Sequence, residues 1–306
     1  MKTSRRFAVV KSYLRCTELI MRSLLKFFLL TFGVAWICWT ASFVISYGPA
    51  SILHGGDAAQ TPATAEPAAA LLAGAVLLLG VFAPAFVALA LTKRNEGRAA
   101  TLALLNRIFK WNVGWRWYLF ALAYIPVVKL SVAVVHRMVM GAWPRFGQTP
   151  WYLMVGAIAV STWAQAGEEI GWRGYALPRL SEYFGLAPAG IILGIIWATW
   201  HLPLFFFSAS DTLHQSFPLY LLQVTAVSVA MAWLYWRTGG SLLLVMLLHA
   251  AVNNTKDIVP SADPNATTPW ALSHSLVAWL TVALLWIAAA HFLFSMRKVK
   301  TLRGIS

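Results

Sequence analysis

Acids are what this sequence lacks: only ten of its 306 residues are Asp or Glu, and charged residues of either sign make up 11%. Soluble domains carry about a quarter charged residues, so a surface wetted all round is excluded. Cysteine is nearly absent as well. Cys16 lies in a basic N-terminal stretch and Cys38 in an apolar run, environments between which no disulfide is expected, and there is no CxxC pair and no thiol catalytic signature.

What the chain has instead is apolar length. Hydrophobic residues make up 59% of it and the mean hydropathy is +0.68, more than a soluble core can absorb. The expected fold is all-α, a polytopic transmembrane helical bundle. At roughly 20 apolar residues per span, the length suits about eight spans and leaves no room for a large soluble domain. The runs fall at 27–47, 68–92, 115–138, 151–178, 188–207, 218–236, 240–254 and 271–295, with turn-forming PATAEP, GAWPRFGQTP, TGG and PSADPNATTP between some of them. Residues 1–26 then form a basic N-terminal segment, 27–295 the bundle and 296–306 a basic tail. The first run is too long for a signal-peptide core and lacks a small-residue cleavage site, so it is expected to remain as a span. Met21 is an alternative start. RAATLALLNRIFKWNVGWRW, between the second and third runs, reads either as a basic amphipathic helix on the membrane surface or as a plain loop.

The net charge of +14 could suggest nucleic acid, but the bases sit in loops and tails rather than among exposed aromatics, so no nucleic-acid partner is expected. They read as topology signals. With the N-terminus inside, alternate loops place 20 of the 24 Lys and Arg on the inner side; Arg137, Arg145 and Lys256 are outside and Lys129 falls within the third span. The positive-inside rule therefore gives an N-in and C-in orientation. Many of the 16 Trp fall near span ends, where an amphipathic ring suits the lipid interface. A multi-pass protein of a bacterial cytoplasmic membrane is the expected setting.

Strong polar groups at membrane depth cost energy unless they have a partner or a task. Three clusters stand out: Glu168, Glu169 and Arg173 in GEEIGWRGYALP, Trp197 and His201 in WATWHLP, and His249 and Asn253 in LLHAAVNN. Glu169 and Arg173 are one turn apart with the acid first, the favourable order for a helical ion pair. Glu168 points about 100° away from its neighbour, so it is expected to face something else and to be available as a general base. Trp197 with His201, and His249 with Asn253, each share a helical face. Pro203 frees the carbonyl of Thr199 and loosens the helix just beyond His201. Counted from the inner helix ends, Glu168, His201 and His249 lie at roughly 18, 20 and 14 Å, close to one level. His136, His274 and His291 are read as helix-packing residues, while His54 and His214 fall in expected loops.

In order on three spans, EExxxR, aromatic-xxx-His and HxxxN, with RGYALPRL and WHLPLF following the first two, resemble the CPBP family of intramembrane proteases. That group, also called Abi, includes CAAX prenyl endopeptidases and bacteriocin self-immunity proteins. The resemblance covers about 150–255, and Trp197 stands where the family usually has Phe. It implies that Glu168 activates a water with His201 assisting, that His249 and Asn253 stabilise the oxyanion, and that Glu169 and Arg173 hold the geometry. The expected substrate is a membrane-associated peptide or protein, and prenylated CAAX peptides are neither required nor excluded.

A metal is the competing mechanism. Glu168, His201 and His249 form a sufficient ligand set for catalytic zinc, but HExxH is missing and Asn253 is a better oxyanion donor than zinc ligand. No cofactor is therefore favoured, with zinc kept as the alternative. A non-catalytic immunity or assembly factor and a proton-coupled transporter are the competing function classes. The sequence carries no signal for an oligomeric state.

Overall fold

The computed structural model describes residues 2–48, 66–207, 210, 212, 215–261 and 268–302, with side chains from Glu18 onward. His54, His214 and the Cys16 side chain lie outside the described residues. In a lipid phase every backbone N–H and C=O must be satisfied within its own segment, which leaves helices as the open solution for these apolar runs. The described residues contain helices and no strand.

In chain order the elements are α1 (Lys2–Tyr47), α2 (Pro67–Val81), α3 (Ala83–Asn106), α4 (Trp115–Met140), α5 (Trp151–Ala164), α6 (Ala166–Glu169), a π-helical segment Ile170–Ala176, α7 (Leu177–Phe184), α8 (Leu186–Trp200), α9 (Phe217–Arg237), α10 (Leu242–Thr255) and α11 (Leu276–Met296). Among the described residues five helices are long and apolar enough to cross a membrane, or six if the bent pair is one span. The other two expected passes differ for identifiable reasons. Residues 151–178 are divided among α5, α6 and the π-helical segment, and α10 has 14 residues, about 21 Å of helix.

The second run, expected at 68–92, bends by 50° between α2 and α3, where Phe82 is the junction and Pro84 is the second residue of the new helix. Gly97, with φ of 88°, interrupts α3 again. The RAATLALLNRIF stretch is thus mostly the end of α3 and a 3-10 turn at Arg107–Phe109. Likewise α8 stops at Trp200 and continues as the 3-10 turn Leu202–Phe206, consistent with the helix-loosening expected from Pro203. The eighth expected span is α11 and starts at Leu276, so His274 precedes it and is exposed.

Contacts between helix ends sort the loops onto two faces of the bundle. At one face Ser23 meets Tyr175, Asn95 donates to Ser23, Lys110 donates to the Gly239 carbonyl, and the Leu186 N–H reaches Val299. Lys93, Arg94, Arg98, Arg107, Arg116, Arg179, Arg237 and Arg297 belong to the same stretches of chain. At the other face Phe217 bonds to Pro269 and Gly147 to Ile258; Arg137, Arg145 and Lys256 are the bases near it, with Glu66 and Asp257. Most of the described basic residues therefore lie at one face. Leu71, Ile37, Val160 and Ile287 are exposed on the sides, where a bilayer would meet them.

Candidate active site

The π-helical segment fixes where the doubled glutamate points. Its wider turn brings Gly171 against α3, so close that a Cβ there would lie 2.7 Å from the Pro84 backbone. Both glutamates are thereby held inside the bundle. Glu169 and Arg173 are fully buried, and Arg173 Nη1 donates to both carboxylate oxygens of Glu169, at 2.9 and 3.1 Å. The guanidinium carbon also lies 4.3 Å from the centroid of the Trp197 ring, a favourable placement for a desolvated cation. Arg173, expected to count among the inner-side bases, is thus a buried charge of the bundle.

Glu168 takes different partners. Its Oε2 accepts the indole N–H of Trp197 at 2.7 Å and that of Trp172 at 3.3 Å. Both donors stabilise the ionised carboxylate and orient it. Trp197 stands where an aromatic is expected, and its indole donor is a function a Phe at this position could not supply. Trp172 was not singled out from the sequence, although its spacing of four from Glu168 was a readable signal.

The histidines are set by their other ring nitrogens. His201 Nδ1 lies 2.9 Å from the Trp197 carbonyl; a carbonyl only accepts, so Nδ1 carries the hydrogen and Nε2 is the acceptor nitrogen of the neutral ring. His249 Nδ1 lies 2.8 Å from Glu169 Oε1. Glu169 therefore links Arg173 on its own helix to His249 on α10, a contact across 80 positions of sequence that spacing could not reveal. For His249 Nε2 to donate to an oxyanion the ring must carry both protons, and the Glu169 carboxylate is placed to support that charge.

Two cavities meet at this point. A polar one of about 360 Å³ is lined by Glu168, Trp197, His201, His249 and Asn253 and extends to Lys129, Asp257 and Ser261. An apolar one of about 390 Å³ runs between α1, α2 and the 3-10 turn after α8, past Phe43, Leu77, Val81 and Phe207, and ends on Glu168 and His201. The structure thus brings Glu168, His201, His249 and Asn253 to one space and keeps Glu169 and Arg173 behind it. Among the described residues no three His, Cys, Asp or Glu side chains are grouped to hold one metal ion.

The segment 147–255 matches the family model described as type II CAAX prenyl endopeptidase Rce1-like. A curated relative, CAAX prenyl protease 2 of Methanococcus maripaludis, is 25% identical over 250 residues, covering 76% of this chain and 83% of the relative. The match spans all three motifs. Together with the burial of those motifs around one cavity, this similarity to CAAX prenyl endopeptidases supports a protease of the CPBP type.

Proposed function

We propose that this protein hydrolyses a peptide bond of a membrane-associated peptide or protein with water activated by Glu168. The observation that carries this reading is that Glu168 and His201 border both cavities at once, one polar and one apolar. A peptide chain in the polar cavity, with its apolar segment or lipid in the other, brings the scissile carbonyl to the carboxylate. Glu168 takes a proton from water as the oxygen attacks the carbonyl carbon. His249 and Asn253 donate to the oxyanion, each such donor contributing about 3–4 kcal/mol in comparable sites. Collapse of the intermediate breaks the C–N bond, and the proton returns to the leaving amine from Glu168 with His201 assisting.

The same residues support a second scheme in which zinc is held by Glu168, His201 and His249. Against it stands the commitment of Glu168 Oε2 to two indole donors; the His249 Nδ1–Glu169 contact fits either scheme, since a metal-ligating histidine donates its other ring N–H to such a carboxylate. A chelator that abolishes cleavage, with zinc restoring it, decides for the metal.

The segregation of basic residues to one face supports an N-in, C-in orientation. The polar cavity then extends toward the non-cytoplasmic side, because its lining includes Gln215, Asp257 and Ser261 from the loops at that face. A substrate presented from the non-cytoplasmic face follows. The relative's name points instead to prenylated CAAX proteins; if such substrates are prenylated in the cytoplasm, they require the cavity to face the cytoplasm, so topology separates these substrate classes.

The direct test compares wild type with Glu168→Gln. The variant inserts and folds normally, its cleavage rate falls by about 10²–10⁴-fold, and an uncleaved membrane-associated precursor accumulates in the proteome of the variant strain. Undiminished cleavage by the variant overturns the reading.

A further inference from the structure

The polar cavity contains a cation that the reaction above does not use. Lys129, near the middle of α4, is 3% exposed, yet it lines the cavity that holds Glu168, His249 and Asn253. Its ammonium has three donors. One reaches the Val259 carbonyl at 3.1 Å and another the Ser261 hydroxyl at 3.4 Å. Among the described residues no carboxylate lies within 4.0 Å of it. Asp257 and Lys256 line the same part of the cavity with opposite charges. A buried ammonium without a contacting carboxylate is costly at membrane depth, and a neutral side chain could fill the space. Lys129 also lies outside the segment that the family model matches.

The backbone beneath it is held firmly. The Gly147 N–H donates to the Ile258 carbonyl, and a Cβ on Gly147 would overlap the Asp257 carbonyl oxygen. Val259 is fully buried against Val132, Ala133 and Val277. Lys129 is thus presented from a fixed wall, on α4, opposite the helix that carries Thr281 and Leu285.

Resting on the endopeptidase reading, we propose that Lys129 is a substrate-binding residue that pairs with a carboxylate of the peptide lying in the polar cavity. The cavity runs from Glu168 to Lys129, so the carboxylate sits on the leaving side or the retained side a few residues from the bond that is cut. A peptide ending a short distance beyond that bond presents its C-terminal carboxylate; an acidic side chain offers the same chemistry. The ammonium, which makes no contact ion pair with Asp257, gains one with the substrate, which selects anionic peptide segments over neutral ones of the same shape.

The test uses the full chain, purified in detergent, and a fluorescent farnesylated peptide in three forms: a free C-terminal acid, the C-terminal carboxamide, and the carboxamide with glutamate as its last residue. Binding is measured on Glu168→Gln protein and cleavage on wild type, each with and without Lys129→Met. With Lys129 present the free acid binds about 10- to 100-fold tighter than the carboxamide; with Lys129→Met that ratio falls to one. Lys129→Arg keeps part of the preference. Recovery by the glutamate form assigns the partner to an acidic side chain, and no recovery assigns it to the chain end. Equal binding of acid and carboxamide by protein carrying Lys129 overturns the proposal, as does a Lys129→Met protein that weakens both alike, which is the signature of a lysine that only ties Val259 and Ser261 to α4. Cleavage without carboxylate preference leaves the endopeptidase reading standing and removes the anchor. Preference in binding with no cleavage keeps the anchor and removes cleavage of farnesylated peptides, and failure to bind any form removes both for that class.

Discussion

Glu168 and Glu169 are neighbours in sequence, yet their removal has different consequences. Glu169 is the countercharge of a fully buried arginine and also faces His249. Glu169→Gln leaves Arg173 as an uncompensated buried cation, a change that costs about 3–5 kcal/mol in comparable sites. The expected outcome is a lowered melting temperature and poor recovery from the membrane, together with lost cleavage. Glu168→Gln keeps its shape and sits beside a cavity, so it loses cleavage while its melting curve is unchanged. Measuring both variants by thermal unfolding in detergent separates the roles; equal destabilisation by the two would remove the distinction. Helical spacing was enough to pair Glu169 with Arg173 and to turn Glu168 elsewhere. Spacing along one helix carries no information about partners on another, which is why the Glu169–His249 contact and the indole donor from Trp197 on α8 were not legible. Lys129 was legible only as a lysine within a span, because its surroundings come from the 256–261 strap and α11.

At the scale of elements, the apolar runs were readable because twenty or so apolar residues have few alternatives to a helix in lipid. The interruptions were less readable. Pro203 announced the end of α8, since proline removes a helical N–H, but nothing local marks the change from α-helix to π-helix at Ile170. That change rests on tertiary packing, with Gly171 against Pro84 as its tightest point. Gly171→Ala therefore overpacks the contact between the π-helical segment and α3, at an expected cost of about 1–3 kcal/mol. It also displaces the turn that carries Glu168. Gly156, in α5, meets nothing within 4 Å of its added Cβ, so Gly156→Ala is the matched control. Melting temperature and turnover should both fall for Gly171→Ala and hold for Gly156→Ala. If Gly171→Ala were as stable and active as the control, the close approach would not be what positions the glutamates.

For the whole molecule, the arrangement of charge relative to the cavity makes the strongest demand. Loops carrying most of the described Lys and Arg gather at the face formed by the ends of α3, α7, α9 and α11, while the rim of the polar cavity belongs to the loops after α8 and α10. The positive-inside rule acts on short loops such as these, and under the proposed N-in, C-in orientation these cavity-lining loops face outward. In a background with Cys16 and Cys38 replaced by serine, single cysteines report the two faces. Gln148→Cys lies beside Gly147, which bonds to Ile258 in the strap bordering the cavity; Lys300→Cys lies just beyond Val299, which bonds to Leu186 at the basic face. A membrane-impermeant maleimide applied to intact cells should label Gln148→Cys at once and Lys300→Cys only after permeabilisation. The reverse pattern would place the cavity mouth in the cytoplasm, where a cytoplasmic prenylated protein could enter it, and would mean that local loop charges do not set the orientation of this bundle. The expected pattern directs the search for substrates to peptides and protein segments exposed outside the cytoplasm and anchored close enough to the membrane to thread between α1, α2 and α8.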